Sequence, residues 1–74
     1  MKYVFNETVG HRTIMGAEWP INIVVYKNGP REWRMASICN GAPDWISTYS
    51  TKKDSVASAR AECELIARLK NSMK

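Results

Sequence analysis

The scarce residues restrict the chemistry of this 74-residue chain more than the abundant ones do. There is one histidine, His11, and there are two cysteines, Cys39 and Cys63, with no CxxC or other zinc-ligand spacing, so no metal site is expected. A secreted domain this small usually carries several disulfides. Two cysteines predict instead a cytoplasmic protein whose thiols stay reduced and serve as small core residues. The Met1 to Glu7 segment lacks the apolar stretch of a signal peptide, and no run approaches transmembrane length. The acids Glu7, Glu18, Glu32, Asp44, Asp54, Glu62 and Glu64 fall in no HExxH, DxD or phosphate-loop pattern. His11 has only Thr8 and Thr13 nearby as hydroxyl partners, and Glu62 and Glu64 point apart on a helix. No cofactor is implied, and the expectation is a protein that is not an enzyme.

What is present suits one small domain, residues 1–74. Apolar residues make up 45% of the chain, including three Trp and three Tyr, which is enough for a core and argues against disorder. The formal charge of +4 favours anionic partners in general. The basic residues are scattered, however, apart from Lys52-Lys53 and the Lys70 to Lys74 tail.

The strongest strand and turn signal is Ile21 to Gly29. Ile21, Ile23 and Val25 alternate with Asn22, Val24 and Tyr26, as in a sheet packed on one face. Lys27-Asn28-Gly29-Pro30 reads as the hairpin turn, because Asn-Gly supplies positive φ angles. The returning strand, Arg31 to Cys39, puts Trp33, Met35, Ser37 and Cys39 on the core face and Glu32, Arg34, Ala36 and Ile38 on the other. Asn40 to Asp44 is a second turn, and Trp45 to Tyr49 a further strand of ambiguous facing. Upstream, Lys2 to Phe5 reads as a first strand. Residues 6–20, punctuated by Gly10, Gly16 and Pro20, read mostly as a loop; the alternative is a longer hairpin with Thr13 to Met15 in its second arm.

The last third is a helix. Thr51-Lys-Lys-Asp54 has the form of a capping box. Val56, Ala59, Cys63 and Ile66 recur at helical spacing, with Leu65 and Leu69 widening the stripe, and the helix is expected to end near Asn71. The fold predicted is α+β: an antiparallel meander of three to four strands with one C-terminal amphipathic helix packed on one face. The other face stays open. A binding role is then expected to fall on that face, in the 6–20 segment or on the outer side of the helix, with Tyr26, Lys27, Arg31, Arg34, His11 and Arg12 as candidate partner-binding residues. Tyr26 is either a cross-strand packing residue or one that projects toward a partner. Its parity, opposite to Ile21, Ile23 and Val25, favours projection.

Two resemblances bear on the partner. Asn22-Ile-Val-Val-Tyr26-Lys-Asn-Gly29, with Met1-Lys2-Tyr3-Val4, His11, Met15 and Asn40-Gly41, resembles the first half of a small phage anti-CRISPR family directed against type I-F systems, given an insertion around residues 16–21. That resemblance implies a non-enzymatic inhibitor that binds the backbone subunits of a crRNA-guided surveillance complex and blocks target hybridisation, partly through exposed tyrosines. Tyr26 matches one such tyrosine; a second falls at Asn6, and an acidic contact falls near Ala36 or Ser37, so these positions depart from the family pattern. The stretch from Tyr26 to Leu69, with Trp33 in a middle strand and Ile46 to Lys53 leading into an alanine-rich helix, is similar to the three-strand-plus-helix DNA-binding domains of phage integrases and plant AP2 proteins. That similarity implies duplex DNA as the alternative partner. A homo-oligomer joined through unpaired strand edges is a further expectation, and a membrane partner is not expected.

Overall fold

The computed structural model describes residues 2–72; Met1, and Met73 and Lys74 of the basic tail, lie outside the described residues. Four strands, β1 (Phe5–Ile14), β2 (Ala17–Gly29), β3 (Glu32–Cys39) and β4 (Ala42–Tyr49), precede one helix, α1 (Lys52–Ser72). The strands form one antiparallel sheet in the order β1-β2-β3-β4. The helix crosses one face and touches every strand, so the fold is the α+β meander that the alternation and the helical stripe predict.

The 6–20 segment is the main departure from the sequence reading. It is no loop but most of a long hairpin, paired from Phe5↔Val25 to Ile14↔Ala17. Its turn is Met15-Gly16, at φ 51° and 82°, so the returning arm begins at Ala17, after Thr13 to Met15. Lys2 to Val4 precede β1, although the Val4 N–H donates to the Val25 carbonyl at 2.9 Å. Of the residues that look like loop punctuation, Gly16 makes the turn, and Gly10 and Pro20 have places in the sheet. Gly10 follows the irregularity between Thr8 and Gly10, where an added Cβ would lie 2.8 Å from Lys70 Nζ, and that ammonium donates to the Val9 carbonyl. Pro20 lies one residue beyond Ile21, the last position of β2 paired with β3, where β2 is itself an edge and a residue without N–H is tolerated.

Positive φ at Met15 is a strained choice, because a Cβ there crowds the backbone by about 1 kcal/mol. Its side chain is fully exposed and contributes little in return. Met15→Asn is therefore expected to raise stability by roughly 0.5–1 kcal/mol, measured by urea unfolding, since asparagine accepts this conformation more readily.

The next turn is also displaced from its expected position. Lys27, Asn28 and Gly29 stay in β2, with a bulge between Lys27 and Gly29, and Pro30-Arg31 turns the chain, Arg31 at φ 54°. Proline presets the first turn residue and the second takes the left-handed conformation. Asn40-Gly41, at φ 53° and 76°, makes a tighter turn than residues 40–44 had implied, and β4 begins at once with Ala42.

Two apolar clusters occupy the two faces, with the predicted parity. Ile23, Val25 and Met35 pack with Ala59 of α1, joined by Phe5, Trp33, Tyr49, Val56, Cys63 and Ile66. Opposite them, Val24, Tyr26 and Ala36 pack with Ile38. Register resolves the facing of β4: Tyr49 pairs with Trp33 and Ser47 with Met35 on the helix side, and Ile46 pairs with Ala36 on the open side. On α1 the Thr51 hydroxyl accepts from the Asp54 N–H at 3.2 Å, an N-cap of a kind that contributes about 1 kcal/mol. Ala59 and Ser55 are fully buried, and the Ser55 hydroxyl donates to the Lys52 carbonyl at 2.8 Å. Leu65 and Leu69 do not widen the buried stripe; both are exposed, to one side of the row formed by Ala59, Cys63 and Ile66.

Candidate binding surface on the open sheet face

The open face is built from the positions of β2 that alternate with its core residues. Asn22 is its polar centre. Its amide donates to Asn6 Oδ1 at 2.9 Å, and its Oδ1 accepts from the Thr8 hydroxyl at 2.9 Å, tying β1 to β2. Beside this ladder, Val24 and Ile38 floor a groove of about 400 Å³, and Tyr3, Trp19 and Pro20 rim it. Asn40 and Gly41 close its far end, and none of its lining residues is charged. Tyr3 is 42% exposed and Trp19 37%, so both present aromatic surface to solvent.

The projection of Tyr26 that its parity favours is corrected here. Tyr26 does lie on the face away from the helix, but it is only 8% exposed. The Tyr3 ring covers it with centroids 6.2 Å apart at 59°, and Arg34 is its cross-strand neighbour. Facing away from α1 does not mean facing solvent, because the segment before β1 folds over this part of the sheet. Tyr26 is a packing residue, and the exposed tyrosine is Tyr3.

The cations divide into paired and free. Arg34 donates to Glu32 at 3.3 Å, and its guanidinium is held above its ordinary pKa first by the Tyr26 phenol and then by Glu32. Its Nε has no hydrogen-bond partner among the described residues. Glu32 also accepts from Asn28 at 2.9 Å, and these bonds, Asn28 first, hold its carboxyl below the usual range. Arg12 makes a two-pronged ion pair with Asp44 of β4, at 2.9 and 3.1 Å, which raises its pKa. Lys27 is exposed, with its ammonium 5.8 Å from the centre of the Trp33 ring, and Arg31 is exposed in the turn. His11 is exposed and pairs with Pro20.

The six residues nominated from sequence therefore form two groups. Tyr26, Lys27, Arg31 and Arg34 gather near the β2–β3 turn, whereas His11 and Arg12 lie near the β1–β2 turn. Seven strand positions separate Lys27 from Pro20, the partner of His11, or about 23 Å along β2. The groove residues Tyr3, Asn6, Trp19 and Asn22 were missed. Asn22 carried the one readable signal, since it shares parity with Val24 and Tyr26; the others become visible only once residues 6–20 form strands.

On the helix side, Cys63 has its thiol pushed up to about 11, first by burial and then by Glu7. Both cysteines are free. Alkylation of Cys63 at pH 8 is expected to be markedly slower than that of an unfolded control peptide, as mass spectrometry of timed samples would show. No group of three or more His, Cys, Asp or Glu side chains among the described residues is placed to hold a metal ion. No helix among them is long and apolar enough to cross a membrane.

No protein-family model, characterised protein or solved structure was found to match this chain.

Proposed function

We propose that this protein works by binding a protein or ribonucleoprotein surface through the open face of its sheet, with no reaction of its own. The observation that carries this reading is the uncharged groove rimmed by exposed Tyr3 and Trp19. Tyrosine and tryptophan beside a small apolar floor are the side chains on which interface energy concentrates. The first partner to test comes from the sequence resemblance: the backbone subunits of a crRNA-guided surveillance complex, with this chain as a phage or mobile-element inhibitor that blocks target hybridisation.

Purified protein is expected to bind such a complex. Tyr3→Ala and Trp19→Ala should each weaken binding about tenfold or more, as hot-spot truncations do, with only a shallow dependence on salt. Absence of binding at micromolar concentration would remove that partner. Duplex DNA is the competing reading, and the pairing of Arg34 with Glu32 and of Arg12 with Asp44 weighs against it, because two of the nominated cations already have partners. DNA binding would show an affinity falling steeply with salt and depending on Lys27 and Arg31.

A further inference from the structure

The outer strands β1 and β4 each leave a row of backbone donors and acceptors without a strand partner among the described residues. The two edges are built differently. β1 has an irregularity at Val9, the Lys70 ammonium on the Val9 carbonyl, and the charged or polar Glu7, His11 and Arg12 along its length. Bulges, charge and a covered carbonyl are what keep an edge from pairing. β4 has comparable protection only at its start, where Pro43 precedes the irregularity opposite Ser37 and Ile38 and the charged Asp44 is its unpaired residue. From Trp45 through Ile46, Ser47 and Thr48 to Tyr49 it holds no charge, proline or glycine. Trp45 is 37% exposed and Ile46 46%.

We propose that this β4 edge joins two copies of the chain, pairing antiparallel about a twofold axis through Ser47. A second copy is the occupant because the segment is complementary to itself. An axis at Ser47 sets Trp45 opposite Tyr49 of the partner subunit and Ile46 opposite Thr48 of the partner subunit, and the symmetry repeats both pairs. Aromatic and β-branched cross-strand pairs are the favourable ones, and no like charges meet. The neighbouring registers fit less well. An axis at Ile46 would set Asp44 opposite Thr48 of the partner subunit and Pro43 opposite Tyr49 of the partner subunit, and an axis at Thr48 would carry Ile46 and Trp45 past the end of the partner strand. The two sheets would then form one continuous sheet, with both helices on one side and both grooves on the other. The open faces stay accessible, so the dimer is independent of the binding role.

Sedimentation equilibrium of the full chain across the micromolar range is expected to show a dimer. Oxidised Ser47→Cys should give a disulfide-linked dimer on a non-reducing gel, because the two thiols would face each other across the axis. Thr48→Cys, one residue off the axis, and the unsubstituted chain with its own two cysteines should not. Ile46→Lys, at an exposed position, should weaken association at least tenfold while the circular dichroism spectrum stays that of the unsubstituted protein. A monomer at all concentrations would overturn the proposal. So would a dimer that fails to cross-link through Ser47→Cys or that is indifferent to Ile46→Lys.

Discussion

Ile23→Ala is expected to remove about 2–5 kcal/mol of stability, the range for truncating a fully buried aliphatic side chain. A 74-residue domain has roughly 4–11 kcal/mol to lose, so this one change consumes a large part of it. Ile23 is 1% exposed and packs with Val25, Met35 and Ala59 where the helix meets the central strands. The cavity would open between a sheet and a long helix, neither of which can collapse far into it. Urea unfolding should show a lower midpoint with little change in slope, and the melting temperature should fall by more than ~10 °C. A loss under ~1 kcal/mol would mean that the helix does not seat on Ile23.

Tyr26→Ala is expected to cost about 2–4 kcal/mol, nearly as much, on the face that the helix leaves open. The ring lies beneath Tyr3, beside Arg34, and in one cluster with Val24 and Ala36. Removing it uncovers Val24, leaves Tyr3 without its aromatic partner, and frees Arg34 from the phenol. Tyr26→Phe keeps the packing and should cost no more than about 1 kcal/mol. The comparison separates support from recognition. If Tyr26→Ala weakens partner binding while Tyr26→Phe does not, the loss follows from disordering Tyr3, and Tyr3→Ala should reproduce it with a much smaller fall in melting temperature than Tyr26→Ala. A stable Tyr26→Ala variant would show that Tyr3 does not cover this ring.

The β2–β3 pair and the helix were legible in the sequence because their signals are local. Alternation from Ile21 to Tyr26 places each residue on the face where the structure has it, and Thr51 caps the helix as its spacing implies. The hairpin of β1 and β2 was illegible for a physical reason. Gly10, Pro20 and Met15 are each poor strand or turn residues by themselves, and each is tolerated only through something distant: Lys70 beside Gly10, the early end of β3 beside Pro20, open solvent around Met15. Asn28-Gly29 misled in the opposite direction, since Pro30 immediately after it made a competing turn. The candidate surface suffered most from this. Tyr3 and Trp19 acquire a shared groove only because residues 6–20, Trp19 among them, pair as strands and not as a loop.

The neighbour-to-neighbour order of the strands also has a consequence for how fast the native state is reached. Each strand pairs with the one before it in sequence, so the sheet can grow hairpin by hairpin with little loop-closure entropy at each step. The helix is different. It rests on all four strands, and its Lys70 reaches Val9, 61 residues earlier, so it can seat only on a sheet already assembled. Substitutions under the helix, at Ala59 or Ile66, should then accelerate unfolding and leave the refolding rate almost unchanged, whereas substitutions in the β2–β3 pair should slow refolding.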